Sequence, residues 1–151
     1  MVNYFEMFGL DVHYNIDESA LTVNYLKKQM SSHPDIDGSE VASSCLNVAY
    51  SVLKDPLSRA EYILALQGKD TNKMPNRLAL KMFELREQFD KINSAEDKNV
   101  FIDKQRHHVD NLLKTLSKYS IDSDDFITTF CEAKFIHSFL EKAVTNACNW
   151  N

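Results

Sequence analysis

The tripeptide His33-Pro34-Asp35 carries residue types that suit both proton transfer and ion pairing. An imidazole and a carboxylate so close together could serve as an acid–base pair. A carboxylate held outward by the rigid Pro34 ring could instead pair with an arginine of another protein. No cleft-forming Gly-rich motif or ligand motif accompanies the tripeptide, which disfavours the enzyme interpretation. On its own, the tripeptide could also be an ordinary turn.

Cysteines and histidines elsewhere in the chain predict no metal site. There are three cysteines and five histidines but no Cys-x-x-Cys pair. If one helix carries both Cys131 and Cys148, they lie about 25 Å apart at a rise of ~1.5 Å per residue. His107 and His108 would point about 100° apart on a helix, and no third ligand is spaced to join them. We therefore expect no metal, no other cofactor and no catalytic residues, and hence a protein that is not an enzyme.

Composition restricts the fold and the kind of partner. Three glycines and three prolines in 151 residues are too few for the closely spaced turns of an all-β fold. A net charge of −5 disfavours extensive binding to nucleic acid, and no apolar run reaches the ~18–20 residues that span a membrane. Three scattered cysteines and the lack of a targeting segment predict a reducing compartment, the bacterial cytoplasm first and the mitochondrial matrix second.

Helical signals fill residues 1–68. A short helix ends at Gly9, and Asp17 is placed as the N-cap of the helix that leads to the tripeptide. Asp55-Pro56 should bend or break the helix that follows the tripeptide. This part of the chain holds four Lys and Arg against nine Asp and Glu, whereas residues 69–151 hold thirteen of each. The uneven charge indicates two domains with different roles.

Three longer helices should follow a linker at residues 69–75. We expect them at about 76–92, 94–117 and 123–147, with joins short enough for a bundle. The residues of the first bundle helix that should point inward are Leu78, Met82, Leu85, Phe89 and Ile92. Those of the last bundle helix are Phe126, Phe130, Ala133, His137, Leu140 and Val144.

The tripeptide and the helix after it resemble a J-domain. Asn47, Ala49 and Tyr50 belong to an Asn-x-Ala-Tyr helix that ends in Asp-Pro, and its pairing with His-Pro-Asp is the hallmark of that domain. With "NYFEMFGL", "PLSRAEYILALQG" and "FELREQFDKI", almost the whole chain resembles the HscB-type J-domain co-chaperones of iron–sulfur cluster assembly. The resemblance implies an all-α, L-shaped fold. Its parts are a J-domain at 1–68, a linker at 69–75 and a scaffold-binding three-helix bundle at 76–151.

The resemblance also implies two partners. A co-chaperone of this family binds an IscU-type iron–sulfur scaffold, delivers it to a DnaK/HscA-type chaperone and stimulates that chaperone's ATPase, which aids cluster transfer. The expected chaperone contacts are His33, Pro34, Asp35, Lys27 and Lys28. The expected scaffold contacts are Ala79, Leu80, Phe83, Glu84, Arg86, Glu87 and Phe135. The alternative is a J-domain protein that serves a different client.

Helical spacing gives a separate reason to expect a binding face on the first bundle helix. At about 100° per residue, Leu80, Phe83 and Glu87 lie roughly opposite the inward residues. Exposed apolar side chains beside carboxylates indicate a partner site. The alternative is that this face packs against the J-domain, and it applies to Leu80 more than to Phe83.

Overall fold

The computed structural model of the protein describes residues 3–31 and 40–148. These residues form seven α-helices and no strand, which confirms the predicted all-α fold. The chain divides into two compact units, Met1–Gln67 and Gly68–Asn151. The helices are α1 Tyr4–Met7, α2 Glu18–Ser31, α3 Glu40–Lys54 and α4 Pro56–Leu66 in the first unit, and α5 Asn76–Asp90, α6 Ala95–Leu116 and α7 Asp124–Cys148 in the second. Among the described helices, none combines the length and the apolar character needed to cross a membrane.

Two aspartates set helix ends in the first unit, as the sequence predicts. The Asp17 carboxylate accepts hydrogen bonds from the backbone N–H groups two and three residues later, at 2.9 and 3.0 Å, and so starts α2. Asp55 separates α3 from α4, and its carboxylate accepts a hydrogen bond from the Ser58 N–H at 2.8 Å. Pro56 takes the first position of α4, where no intrahelical N–H is needed.

A buried arginine joins α4 to the end of α3. The Arg59 guanidinium donates a hydrogen bond of 2.8 Å to the Leu53 carbonyl, which lies in the last turn of α3. It also lies 5.2 Å from the centre of the Tyr14 ring and 3.8 Å from the Glu18 carboxylate. Arg59 therefore connects α4 to α3, to α2 and to the segment before α2 at the edge of an apolar core. That core comprises Phe5, Phe8, Leu21, Leu46, Ala49, Leu53, Ala60, Ile63 and Leu64.

The second unit is a three-helix arrangement in which α5 points its predicted apolar residues inward. Leu78 and Leu85 are buried, and Met82, Phe89 and Ile92 are half-buried. Ser94 caps α6, because its Oγ accepts a hydrogen bond from the backbone N–H three residues later at 3.1 Å.

On α7 the inward pattern differs from the prediction at one turn. His137 is exposed, so its assignment to the core was wrong, and the neighbouring Ile136 is buried instead. A straight helix drifts ~20° per seven residues relative to a 3.5-residue repeat, so the buried stripe of a 25-residue helix moves around its axis. Burying the apolar neighbour also avoids the cost of desolvating an imidazole. The buried residues of α7 are Phe126, Phe130, Cys131, Ala133, Ile136, Leu140 and Ala143.

The segment expected to be a linker, residues 69–75, is attached to the second unit by side-chain hydrogen bonds. Lys134 of α7 donates to the Thr71 hydroxyl at 3.2 Å and to the Asn72 side-chain carbonyl at 3.1 Å. Thr71 is buried. This segment leads directly into α5, so the start of α5 is held against α7.

Candidate docking surfaces

The first candidate surface is the outer face of α2, which we define by Val23, Leu26, Lys27 and Met30. These residues follow one another at spacings that place them on one side of the helix, and all four are exposed. Lys28 is exposed as well, but it points about 100° away from Lys27. The other expected chaperone contacts, His33, Pro34 and Asp35, lie outside the described residues.

Lys27 and Lys28 differ from the other two cations of residues 1–68. Arg59 is buried and donates to a backbone carbonyl. The Lys54 ammonium lies 5.3 Å from the centre of the Tyr50 ring, within cation–π distance. Lys27 and Lys28 are therefore the two basic groups of this acidic segment whose exposed heads are available to a partner carboxylate.

Polar and aromatic contacts hold α2 against α3. The Tyr25 ring stacks on Tyr50 with the ring centres 4.1 Å apart, and the Tyr25 hydroxyl donates to the Asn47 side-chain carbonyl at 2.8 Å. Gln29 in turn donates to the Tyr25 hydroxyl at 2.6 Å. Asn47 and Tyr50 are the two outer residues of the Asn-x-Ala-Tyr motif. Their observed role is to fix the last turns of α2.

The second candidate surface is on α5, where six of the seven expected scaffold contacts occur. Ala79, Leu80, Phe83, Glu84, Arg86 and Glu87 are all exposed. Leu80 and Phe83 each keep 62% of their surface accessible, which is unusual for large apolar side chains so close together. Phe83 lies at the middle of the exposed side. Ala79 and Arg86 flank it toward α7, and Leu80, Glu84 and Glu87 flank it on the other side.

A groove of about 350 Å³ runs between α5 and α7, and we call it the α5–α7 groove. From α5 it is lined by Ala79, Met82, Phe83 and Arg86, and from α7 by Phe135, Ser138, Phe139 and Lys142, with Met74 contributed from the segment before α5. The groove thus brings Phe135 together with three of the expected contacts on α5. Leu80, Glu84 and Glu87 are not among its lining residues.

Sequence reasoning missed two residues of the groove that a helical pattern could have revealed. Phe139 and Lys142 follow Phe135 by four and seven positions, the spacing of residues that share one helix face. The Phe139 ring also packs edge-on against Phe89 of α5, with the ring centres 5.6 Å apart. This contact holds the two walls of the groove together.

Comparison with known proteins identifies relatives of the chain in sequence and in structure. No protein-family model matches it. Co-chaperone protein HscB homologs from two strains of Vibrio cholerae are 37% identical to it over 110 residues. The aligned residues span 64% of this chain and 64% of each relative, so the chain covers a little under two thirds of the relatives' length. The solved structure of chaperone HscB from Vibrio cholerae has a TM-score of 0.71 and 28% identity, with 99% of this chain and 100% of that chain covered.

In both sequence and fold, the chain is similar to HscB-type co-chaperones.

Two more distant structures share the fold. The structure of human co-chaperone protein HscB has a TM-score of 0.76 at 20% identity, and the alignment covers 97% of this chain and 83% of the human chain. The structure of the Jac1 co-chaperone from Saccharomyces cerevisiae has a TM-score of 0.74 at 21% identity, and the alignment covers 100% of this chain and 95% of the yeast chain. Such long alignments at low identity show that the HscB fold tolerates extensive replacement of its residues.

A second cavity of the second unit, about 440 Å³, lies between α5 and α6 and differs in character from the α5–α7 groove. Near it, Glu132 of α7 accepts hydrogen bonds from Lys81 and from His108, the latter at 3.1 Å. Burial raises the pKa of Glu132, but the hydrogen bonds from Lys81 and His108 outweigh it, so the net pKa lies below the usual glutamate value. Glu132 thereby connects α5, α6 and α7.

The structure offers no metal-binding group within the described ranges, where no three His, Cys, Asp or Glu side chains converge. Cys131 is buried, and this burial raises the pKa of its thiol. Cys45 is exposed on α3.

Proposed function

We propose that the chain is a co-chaperone of iron–sulfur cluster assembly. In this role it binds an IscU-type scaffold protein, delivers it to a DnaK/HscA-type chaperone and stimulates the ATPase of that chaperone. Similarity to HscB co-chaperones in sequence and fold supports the general role. The observation that carries the scaffold-binding part is the exposed pair Leu80 and Phe83 beside an apolar groove.

The second unit would bind the scaffold through α5 and α7. Phe83 and Phe135 supply aromatic side chains of the kind that dominate binding energy at interfaces. Leu80 enlarges the apolar area, and Glu84, Arg86 and Glu87 would form a charged rim that fixes orientation. Ala79 lies at the edge of the groove, where its small side chain leaves room for a partner side chain.

The first unit would bind the chaperone. We assign this contact to His33, Pro34 and Asp35, with Lys27 and Lys28 as basic contacts. The proline restricts the backbone of the tripeptide, and a carboxylate held outward can pair with an arginine of the chaperone. The two exposed lysines would add attraction to an acidic surface of the chaperone.

The proposed role requires no reaction at the chain itself. ATP hydrolysis would take place in the chaperone, and the chain would change its rate by binding. Iron and sulfide would be cargo of the scaffold rather than cofactors of this chain. The bacterial source of the 37%-identical relatives supports the bacterial cytoplasm as the compartment, with the mitochondrial matrix as the second choice.

Purified components test the proposal directly. Calorimetric titration of an IscU-type scaffold into the chain should show saturable binding, and the chain should raise the single-turnover ATPase rate of a DnaK/HscA-type chaperone. ATPase stimulation without scaffold binding would identify a J-domain protein that serves a different client. Scaffold binding without stimulation would overturn the chaperone assignment.

A further inference from the structure

We propose that the α5–α7 groove selects a partner segment in which an apolar side chain is flanked by carboxylates. Arg86 and Lys142 are the residues that would recognise the negative charge. The inference rests on the proposed function, because the IscU-type scaffold is the partner that would supply the segment. It adds the chemistry of the scaffold segment and a specificity role for Lys142, which the family resemblance does not include.

The floor and walls of the groove suit a single apolar anchor. Phe83 and Phe135 face it from opposite helices, and Met82 lies at its base. Methionine side chains are flexible and adapt to the shape of an incoming group. A volume of about 350 Å³ lies at the lower end of the range for ligand sites, ~300–1,000 Å³. The groove is therefore large enough for a bulky side chain and its neighbours.

Charge is distributed asymmetrically around this apolar surface. Among the described residues, two cations, Arg86 and Lys142, line the groove, and no carboxylate does. Of the acidic residues of α5, Glu84 and Glu87 lie on the other side of Phe83, whereas Asp90 follows Arg86 by four positions on the same side but does not line the groove. The groove is therefore positive although the chain as a whole carries a net charge of −5.

Neither cation of the groove has a carboxylate within 4.0 Å in the part of the chain that the structure describes. Three other lysines of the second unit are engaged. Lys81 contacts Glu132, and Lys91 lies 3.6 Å from Glu87. Lys134 donates hydrogen bonds to the segment before α5.

A partner carboxylate would satisfy both cations without breaking an existing pair. The Arg86 guanidinium can accept a carboxylate in a bidentate geometry, whereas Lys142 offers a flexible point charge across the groove. An apolar side chain between two carboxylates would place its anchor against the aromatic rings and its charges against the two cations. A partner segment with lysines in place of the carboxylates would be repelled.

Charge reversal with a matched control tests the inference. The variants are Lys142→Glu, Arg86→Glu and the control Lys104→Glu, which makes the same charge change at an exposed lysine within α6 that lines the other cavity. Affinity for the IscU-type scaffold would be measured by titration at ~50 mM and ~300 mM salt, which bracket strong and weak screening of exposed charges. Circular dichroism melts would verify that each variant is folded.

We expect Lys142→Glu and Arg86→Glu each to weaken scaffold binding about tenfold at low salt and less at high salt, since rim charges are screened. Lys104→Glu should stay within about twofold of the unchanged chain. Equal loss in all three variants would show a net-charge effect and overturn the inference. A concentration-dependent dimer of the chain that Lys142→Glu abolishes would identify a second copy as the occupant, and would also overturn it.

Failure of the inference is distinguishable from failure of the proposed function. If Lys142→Glu and Arg86→Glu leave affinity unchanged while Leu80→Ala with Phe83→Ala reduces it, the scaffold site stands and its charge selectivity is wrong. If none of these changes affects scaffold binding, the scaffold binds elsewhere, so the inference and the proposed α5–α7 site both fail. Absence of scaffold binding by the unchanged chain would overturn the proposed function itself.

Discussion

The outer face of α2 is the convex side of a single helix, whereas the α5–α7 groove is a concavity between two helices. On α2, Lys27 lies among exposed apolar side chains. In the groove, Phe83 and Phe135 line one open concavity from two helices. A convex charged face favours rapid and reversible encounter, while a concave apolar one can exclude water around an anchor. For the proposed partners, the comparison predicts a brief contact with the chaperone and a tighter one with the scaffold.

Both surfaces are held in place by contacts behind them, but of different kinds. The Tyr25 stack on Tyr50 and the Asn47 hydrogen bond fix α2 on α3. The edge-on pair of Phe89 and Phe139 fixes α5 on α7. Both supports therefore contain an aromatic pair, and the support of α2 adds hydrogen bonds made by the Tyr25 hydroxyl.

The largest expected effect is on the chaperone side. Either His33→Gln or Asp35→Asn should abolish ATPase stimulation and leave scaffold affinity unchanged, because the tripeptide would contact the chaperone alone. Surface substitutions of this kind usually change stability by less than ~0.5 kcal/mol. Asp11→Asn, at an exposed position of the first unit, is the matched control and should stimulate normally. Normal stimulation by either tripeptide variant would mean that the J-domain assignment is wrong.

The next effect tests whether the exposed face of α5 binds the scaffold rather than packing in the core of the second unit. Leu80→Ala combined with Phe83→Ala should weaken scaffold binding by about 2 kcal/mol, roughly thirtyfold, with little change in melting temperature. Phe130→Ala is the core control, since Phe130 is fully buried and its truncation should cost ~3–5 kcal/mol of stability. A large drop in the melting temperature of the double variant would show that the α5 face is part of the core.

The smallest effect concerns the ionised Glu132 that connects the three helices of the second unit. Its pKa is lowered from 4.5 in the folded chain, so it adds stability above that pH and loses this contribution as pH falls through the folded value. Glu132→Gln should therefore reduce the free energy of unfolding by about 1 kcal/mol at neutral pH. The difference from the unchanged chain should shrink in acid.

Denaturant titrations at pH 7 and pH 3 would measure this difference. Glu141→Gln, at an exposed position of the same helix, is the control and should show no comparable dependence on pH. An equal difference at both pH values would mean that Glu132 stabilises the bundle by packing rather than by charge.

The sequence predicted the parts of the fold that depend on one helix at a time. Asp17 acts as the predicted cap of α2, and Asp55-Pro56 separates two helices as predicted, because both effects need only local residues. The exposed position of Phe83 on α5 followed from helical spacing over a short helix. These features require no knowledge of which helices pack together.

The features that depend on pairs of helices were harder to predict. His137 was assigned to the core because a repeated pattern was extended along α7 without the drift of the buried stripe. Lys142 shares a helix face with Phe135, a pattern that the sequence contains, but the groove that this face lines appears only when α7 is placed beside α5. The groove is a product of packing, and a single-helix pattern does not contain it.

The central claim is that one molecule joins a chaperone and a scaffold through two separate surfaces. Retention of an IscU-type scaffold on immobilised DnaK/HscA-type chaperone, in the presence of ATP, measures this joining directly. The unchanged chain should raise retention above the level of the chaperone alone. Retention should not rise with Asp35→Asn, with the Leu80→Ala and Phe83→Ala double variant, or with an equal mixture of the two, because no molecule then carries both surfaces. Full retention with the mixture would contradict the account, since the two activities would not need to reside in one chain.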